Sequence, residues 1–111
     1  MGNVKIYDKL VRDRIPEIIE KNGEYCQTST ISDDRIEDIL MFKLTEEMME
    51  FQTERNIHEF VDVIEVLRAI AKVKGYSWEE IEAARAKKEQ ERGAFDKKVY
   101  LLATSDEPFE N

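Results

Sequence analysis

From Asp33 to about Glu54 no glycine or proline interrupts the chain, and apolar residues recur at Ile36, Ile39, Leu40, Leu44, Met48 and Phe51. Spacing of three and four gathers these side chains into one stripe of a helix, and such a stripe has to be buried against another apolar surface. That surface follows in the sequence. Asn56 suits a helix cap, the stretch from Ile57 to about Lys74 reads as a second helix, and Gly75 ends it behind Lys72 and Lys74. Their charges suit the negative end of the helix dipole. A connection of a few residues makes the two helices antiparallel neighbours. The expected class is therefore mainly α, built on a helical hairpin.

Shorter elements flank the hairpin. Pro16 fits the first turn of a short helix over Glu17 to Lys21, stopped by Asn22 and Gly23, with Asp13 available to cap it or to hold Arg12. The Thr- and Ser-rich residues 24–31 suit a short strand, and FDKKVYLL suggests a second over residues 97–102 that would pair with it. Between them, Ser77 and Glu80 have capping-box spacing for a third long helix that Gly93 closes after Arg92. Tyr76 and Trp78, at the start of that helix, are expected to pack. Residues 1–111 are expected to form one domain with a loose tail, SDEPFEN.

Charge narrows the functional classes. Seventeen basic and twenty-five acidic side chains give a formal net charge of -8, which disfavours binding to a nucleic acid duplex or an anionic membrane surface. The N-terminus has no apolar run long enough for a signal peptide or membrane span, and the single cysteine, Cys26, has no intrachain disulfide partner. A reduced, cytoplasmic protein is expected. The only histidine, His58, projects to the polar side of its helix and takes no catalytic role.

Four acids do not fit a simple core. On a projection of about 100° per residue, Glu47 and Glu50 fall inside the apolar stripe of the first helix, and Glu59 falls among apolar residues of the second. Antiparallel pairing sets Glu50 at the height of Glu59 and Glu47 at that of Asp62. An ionised carboxylate buried alone costs several kcal/mol, so four together require cations. Oxygen ligands without a His or Cys cluster suit Mg²⁺, with Mn²⁺ as the alternative, rather than zinc. Each acid taken singly is equally compatible with a solvated face, and Glu59 with a cap around Asn56. Their joint placement favours a metal site.

The motifs Glu47-Met48-Met49-Glu50 and Glu59-Phe60-Val61-Asp62, preceded by Lys43-Leu44-Thr45-Glu46, resemble the ExxE and ExxD pairs of the MazG-like all-α nucleoside triphosphate pyrophosphohydrolases. YDKLVRDRIPEIIEKNG, residues 7–23, and ERGAFDKKVYL resemble the opening and ending of a small subgroup of that superfamily. Asp8 departs from the expected amide, and the interval from Glu50 to Glu59 is short, as suits a compact member. The resemblance implies Mg²⁺-dependent hydrolysis of a nucleoside triphosphate to a monophosphate and pyrophosphate, in nucleotide-pool housekeeping. It implies Glu47, Glu50, Glu59 and Asp62 as metal ligands. Glu46, on the edge of the same stripe, is the candidate general base by position. Lys9, Arg12, Arg14, Lys88 and Arg92 are candidates for the substrate phosphates, their alternative being ordinary surface charge.

The second helix is apolar around more of its circumference than so short a chain can cover, which predicts a homodimer or higher homo-oligomer whose paired hairpins form a four-helix bundle. Two other functions fit the same sequence: phosphoribosyl-ATP pyrophosphohydrolase-like activity, and a non-catalytic helical interaction module.

Overall fold

The computed structural model describes residues 2–110 and contains four helices among them: α1 (Ile15–Lys21), α2 (Asp33–Glu54), α3 (Ile57–Lys74) and α4 (Trp78–Arg92). The mainly helical class is as expected. The chain divides into two compact units, the first ending at Ser77 and the second beginning at Trp78.

In the first unit α2 and α3 pack as an antiparallel hairpin, joined only by Arg55 and Asn56. The reversal is local chemistry. Arg55 takes the left-handed conformation (φ 51°) and its N–H donates to Phe51 O, ending α2, while Nε donates to Gln52 O at 2.9 Å. Asn56 is extended, and its Oδ1 accepts the Glu59 N–H at 3.0 Å, satisfying one of the free donors that open any helix. At the far end of α3, Gly75 (φ 81°) lets Tyr76 N–H turn back to Ala71 O, the closure for which glycine is best suited.

The interface between these helices is thin. Leu40 of α2 and Val66 and Ala71 of α3 are buried, and the only buried charged side chain among them is Glu47. Phe51 and Phe60 meet beside the turn with ring centres 5.5 Å apart, and Lys74 reaches Glu37 at 3.4 Å at the opposite end. The two-residue turn, the Phe51–Phe60 contact and the buried Leu40, Val66 and Ala71 set the register of the two helices, and with it which acids face one another.

Several expectations are corrected. Residues 24–31 and 97–102 form no strand. A strand needs a partner for its backbone and an apolar surface for one face, and neither segment has both. Tyr25 is fully exposed, as are most of Val99, Tyr100, Leu101 and Leu102, so neither segment buries a face; Lys98, at φ 56°, further interrupts the second. The short helix starts earlier than expected, at Ile15, and its cap position is Arg14, with no side-chain cap hydrogen bond, so Asp13 does not cap it. Tyr76 and Trp78 are each about half exposed rather than packed away. His58 is exposed, as its projection suggested.

Candidate metal centre

Helical spacing brings Glu46, Glu47 and Glu50 to one region of α2, and the Asn56 cap sets the start of α3 so that Glu59 and Asp62 face it. Two overlapping groups result. Glu46, Glu47 and Glu50 each offer a carboxylate oxygen within 4.8 Å of the others, and so do Glu47, Glu59 and Asp62. Glu47 belongs to both. The four acids singled out as metal ligands are thus brought together, with the proposed base beside them.

Burial falls off outward from Glu47. That side chain is 7% exposed; Glu46, Glu59 and Asp62 are half-buried, and Glu50 is exposed. Glu50 was expected to face the core; it lies instead at the solvent end of the group, lining an open hollow of about 480 Å³ with Met49, Thr53, Glu54 and Glu59. The hollow is shallow and open to solvent rather than an enclosed cleft.

Two cations already serve the acids. Lys43 Nζ stands 3.2 Å from Glu47 Oε1 and 3.5 Å from Glu46 Oε1, one helical turn away, with most of its side chain buried. Arg12, from the irregular segment before α1, places Nη2 2.6 Å from Asp62 Oδ1. Five carboxylates against these two cations leave a formal excess of three negative charges. Two oxygens, Glu47 Oε2 and Glu59 Oε2, are buried without any hydrogen-bond partner. A buried acceptor left unpaired costs about 1–3 kcal/mol, more when charged. The vacant acceptors, their all-oxygen chemistry and the uncompensated charge together fit a hard divalent cation.

The remaining cations predicted to contact phosphate are placed otherwise. Lys9 lies with its ammonium 5.7 Å from the Tyr7 ring centre, and Lys5 contacts the same ring at 5.1 Å. Arg14 pairs with Glu17 at 3.4 Å. Lys88 and Arg92 are exposed on α4, in the second unit. Of the five, Arg12 alone makes an ion pair with a member of the acidic cluster.

Sequence reasoning did not assign Lys43 or the Arg12–Asp62 pair. The first had a visible signal, since Lys43 and Glu47 are four apart on a helix. The second joins residues fifty apart, and nothing local announces it.

No described helix is long and apolar enough to cross a membrane. Comparison of the chain with protein-family models, curated proteins and solved structures returned no match.

Proposed function

We propose that this chain is a Mg²⁺-dependent nucleoside triphosphate pyrophosphohydrolase of the MazG-like kind, yielding nucleoside monophosphate and pyrophosphate. The observation that carries the proposal is the convergence of Glu47, Glu50, Glu59 and Asp62 in two overlapping groups, with Glu47 Oε2 and Glu59 Oε2 buried and unpartnered. The likeness of the two acidic motifs and of residues 7–23 to that superfamily gives the reaction its identity.

Those four acids would hold Mg²⁺ or Mn²⁺. When bound, the ion supplies positive charge that offsets the carboxylates and the phosphate oxygens of the substrate. Glu46, half-buried and within the cluster, orients a water and accepts its proton as the water oxygen bonds to the α phosphorus. The bond from the α phosphorus to the bridging oxygen breaks, and pyrophosphate leaves with the electron pair. The open hollow beside Glu50 and Glu59 gives the nucleotide a place next to the acids. Lys9, Arg12 and Arg14 are the proposed phosphate contacts from the same unit, with Arg12 best placed by its link to Asp62.

The functional unit is proposed to be a homodimer. Met41, Phe42, Met48 and Met49 on α2 and Phe60, Val61, Leu67 and Val73 on α3 are all substantially exposed in the single chain, and a second hairpin would cover them in a four-helix bundle.

Incubation of the purified protein with Mg²⁺ and a panel of ribo- and deoxynucleoside triphosphates, with pyrophosphate and monophosphate measured, tests the activity. Pyrophosphate release that is lost in Glu50→Gln supports it. Turnover restricted to phosphoribosyl-ATP would select the related histidine-synthesis reaction instead. Silence across the panel, with no thermal shift on adding Mg²⁺ or Mn²⁺, would leave the helical interaction module.

A further inference from the structure

The two cations at the acidic cluster differ in how firmly they are held. Lys43 is fixed by α2 itself: its side chain is only 17% exposed and it bridges Glu46 and Glu47 from one turn away. Arg12 is different. It comes from a segment without regular structure, its side chain is 55% exposed, and it touches Asp62 through one nitrogen on one oxygen rather than as a two-pronged fork. An exposed single-point ion pair contributes little and exchanges readily.

Asp62 also belongs to the group formed with Glu47 and Glu59, in which Glu47 is more than nine-tenths buried and both glutamates carry an unpartnered buried oxygen. A divalent cation attracted by those vacant acceptors meets a guanidinium already resting on the third member of the group. Two cations on one carboxylate repel each other, and the exposed, singly bonded one is the one able to leave.

We infer that Arg12 is a resident counter-ion of the metal-free site, displaced when a divalent cation enters and thereby freed to take an anionic phosphate group. The inference rests on the metal-centre assignment above and adds an order of events to it. Lys43 stays in place and Arg12 exchanges. Because Arg12 joins the segment before α1 to α3 through its side chain, its release also removes that link. In this account Arg12 binds the phosphate directly, and its planar donor set suits phosphate better than a lysine would.

Three measurements on the full chain test the exchange. Free Mn²⁺, followed by electron paramagnetic resonance, is titrated with wild type, Arg12→Gln and Glu47→Gln. Inorganic pyrophosphate is then titrated by calorimetry into wild type and Arg12→Gln in excess Mg²⁺. Nitrogen NMR of the wild-type Arg12 guanidinium, with and without Mg²⁺, reports its release without any substitution. Arg12→Gln is expected to bind Mn²⁺ about twofold to fivefold more tightly, the scale of a surface pair removed. The same variant is expected to bind pyrophosphate roughly tenfold more weakly, the scale of a lost hydrogen bond to a charged group. Opposite signs in the two titrations, with Arg12 signals that move on adding Mg²⁺, support the exchange. Unchanged or weaker Mn²⁺ binding by Arg12→Gln, unchanged pyrophosphate binding, or wild-type Arg12 signals that stay still overturns it. Absence of Mn²⁺ binding by wild type overturns the metal centre itself, whereas binding that Glu47→Gln abolishes leaves that centre standing whatever Arg12 does.

Discussion

At the scale of single residues, Glu59 shows why an acid is kept where an apolar group would pack. Its backbone N–H is tied to the Asn56 side chain, while its Oε2 is buried with nothing to accept from. Glu59→Gln removes a formal charge from that place. Metal-free stability is expected to rise by about 1 kcal/mol, because an uncharged amide is less costly to leave unpaired than a carboxylate. The stabilisation by Mg²⁺ is expected to shrink in the same variant. Thermal melts with and without Mg²⁺ check both; a variant that loses stability in both conditions and keeps the full Mg²⁺ effect would mean that Glu59 is structural.

Elements depend on their ends. Asn56 caps α3 and so sets the height of Glu59 and Asp62 against α2; Asn56→Ala is expected to cost about 1 kcal/mol in urea unfolding, the usual loss for a helix cap. Helix α4 has little apolar burial and relies on side-chain pairs: Arg85 reaches Glu82 and Glu89, each at 2.6 Å. The hydrogen bond from Arg85 holds the Glu82 carboxyl below its ordinary value of 4.5, and the two glutamates push the Arg85 guanidinium further up. Arg85 therefore remains charged throughout the accessible range and Glu82 sets the pH dependence. A lowered carboxyl value in the helix means that the contribution is complete above the unfolded value and is lost as pH falls through the folded one. Circular dichroism should show helix content declining on acidification below about pH 5, with a shallower decline in Arg85→Ala. Equal profiles would show that the pairs do not support α4.

For the whole molecule, the thin interface is the telling property. Leu40, Val66 and Ala71 are the buried apolar residues of the described chain, too few to sustain a domain of this length alone. A second hairpin laid on the exposed faces of α2 and α3 would supply the missing burial. Sedimentation equilibrium is expected to give twice the chain mass, and Leu67→Glu, which places a charge on the exposed face of α3, is expected to shift the population to monomer and lower the melting temperature. A wild-type monomer at micromolar concentration that melts cooperatively would remove the dimer from the proposal.

Much of this was legible in the sequence because it is governed by neighbours along the chain. Unbroken apolar periodicity determined α2, and Asn56 and Gly75 determined the limits of α3, since caps act within one turn of the residues they serve. The short link then made the helices antiparallel, which was enough to bring Glu47, Glu50, Glu59 and Asp62 together. What tertiary structure decided depends on distance through space. Residues 24–31 and 97–102 have strand-like composition, yet a strand is stabilised by a partner and a surface, and composition supplies neither. Arg12 and Asp62 meet only because the segment before α1 folds back to the start of α3. The depth of Glu47 against the exposure of Glu50 was likewise set by packing: helical angle gives a direction, whereas burial depends on what the neighbouring helix places there.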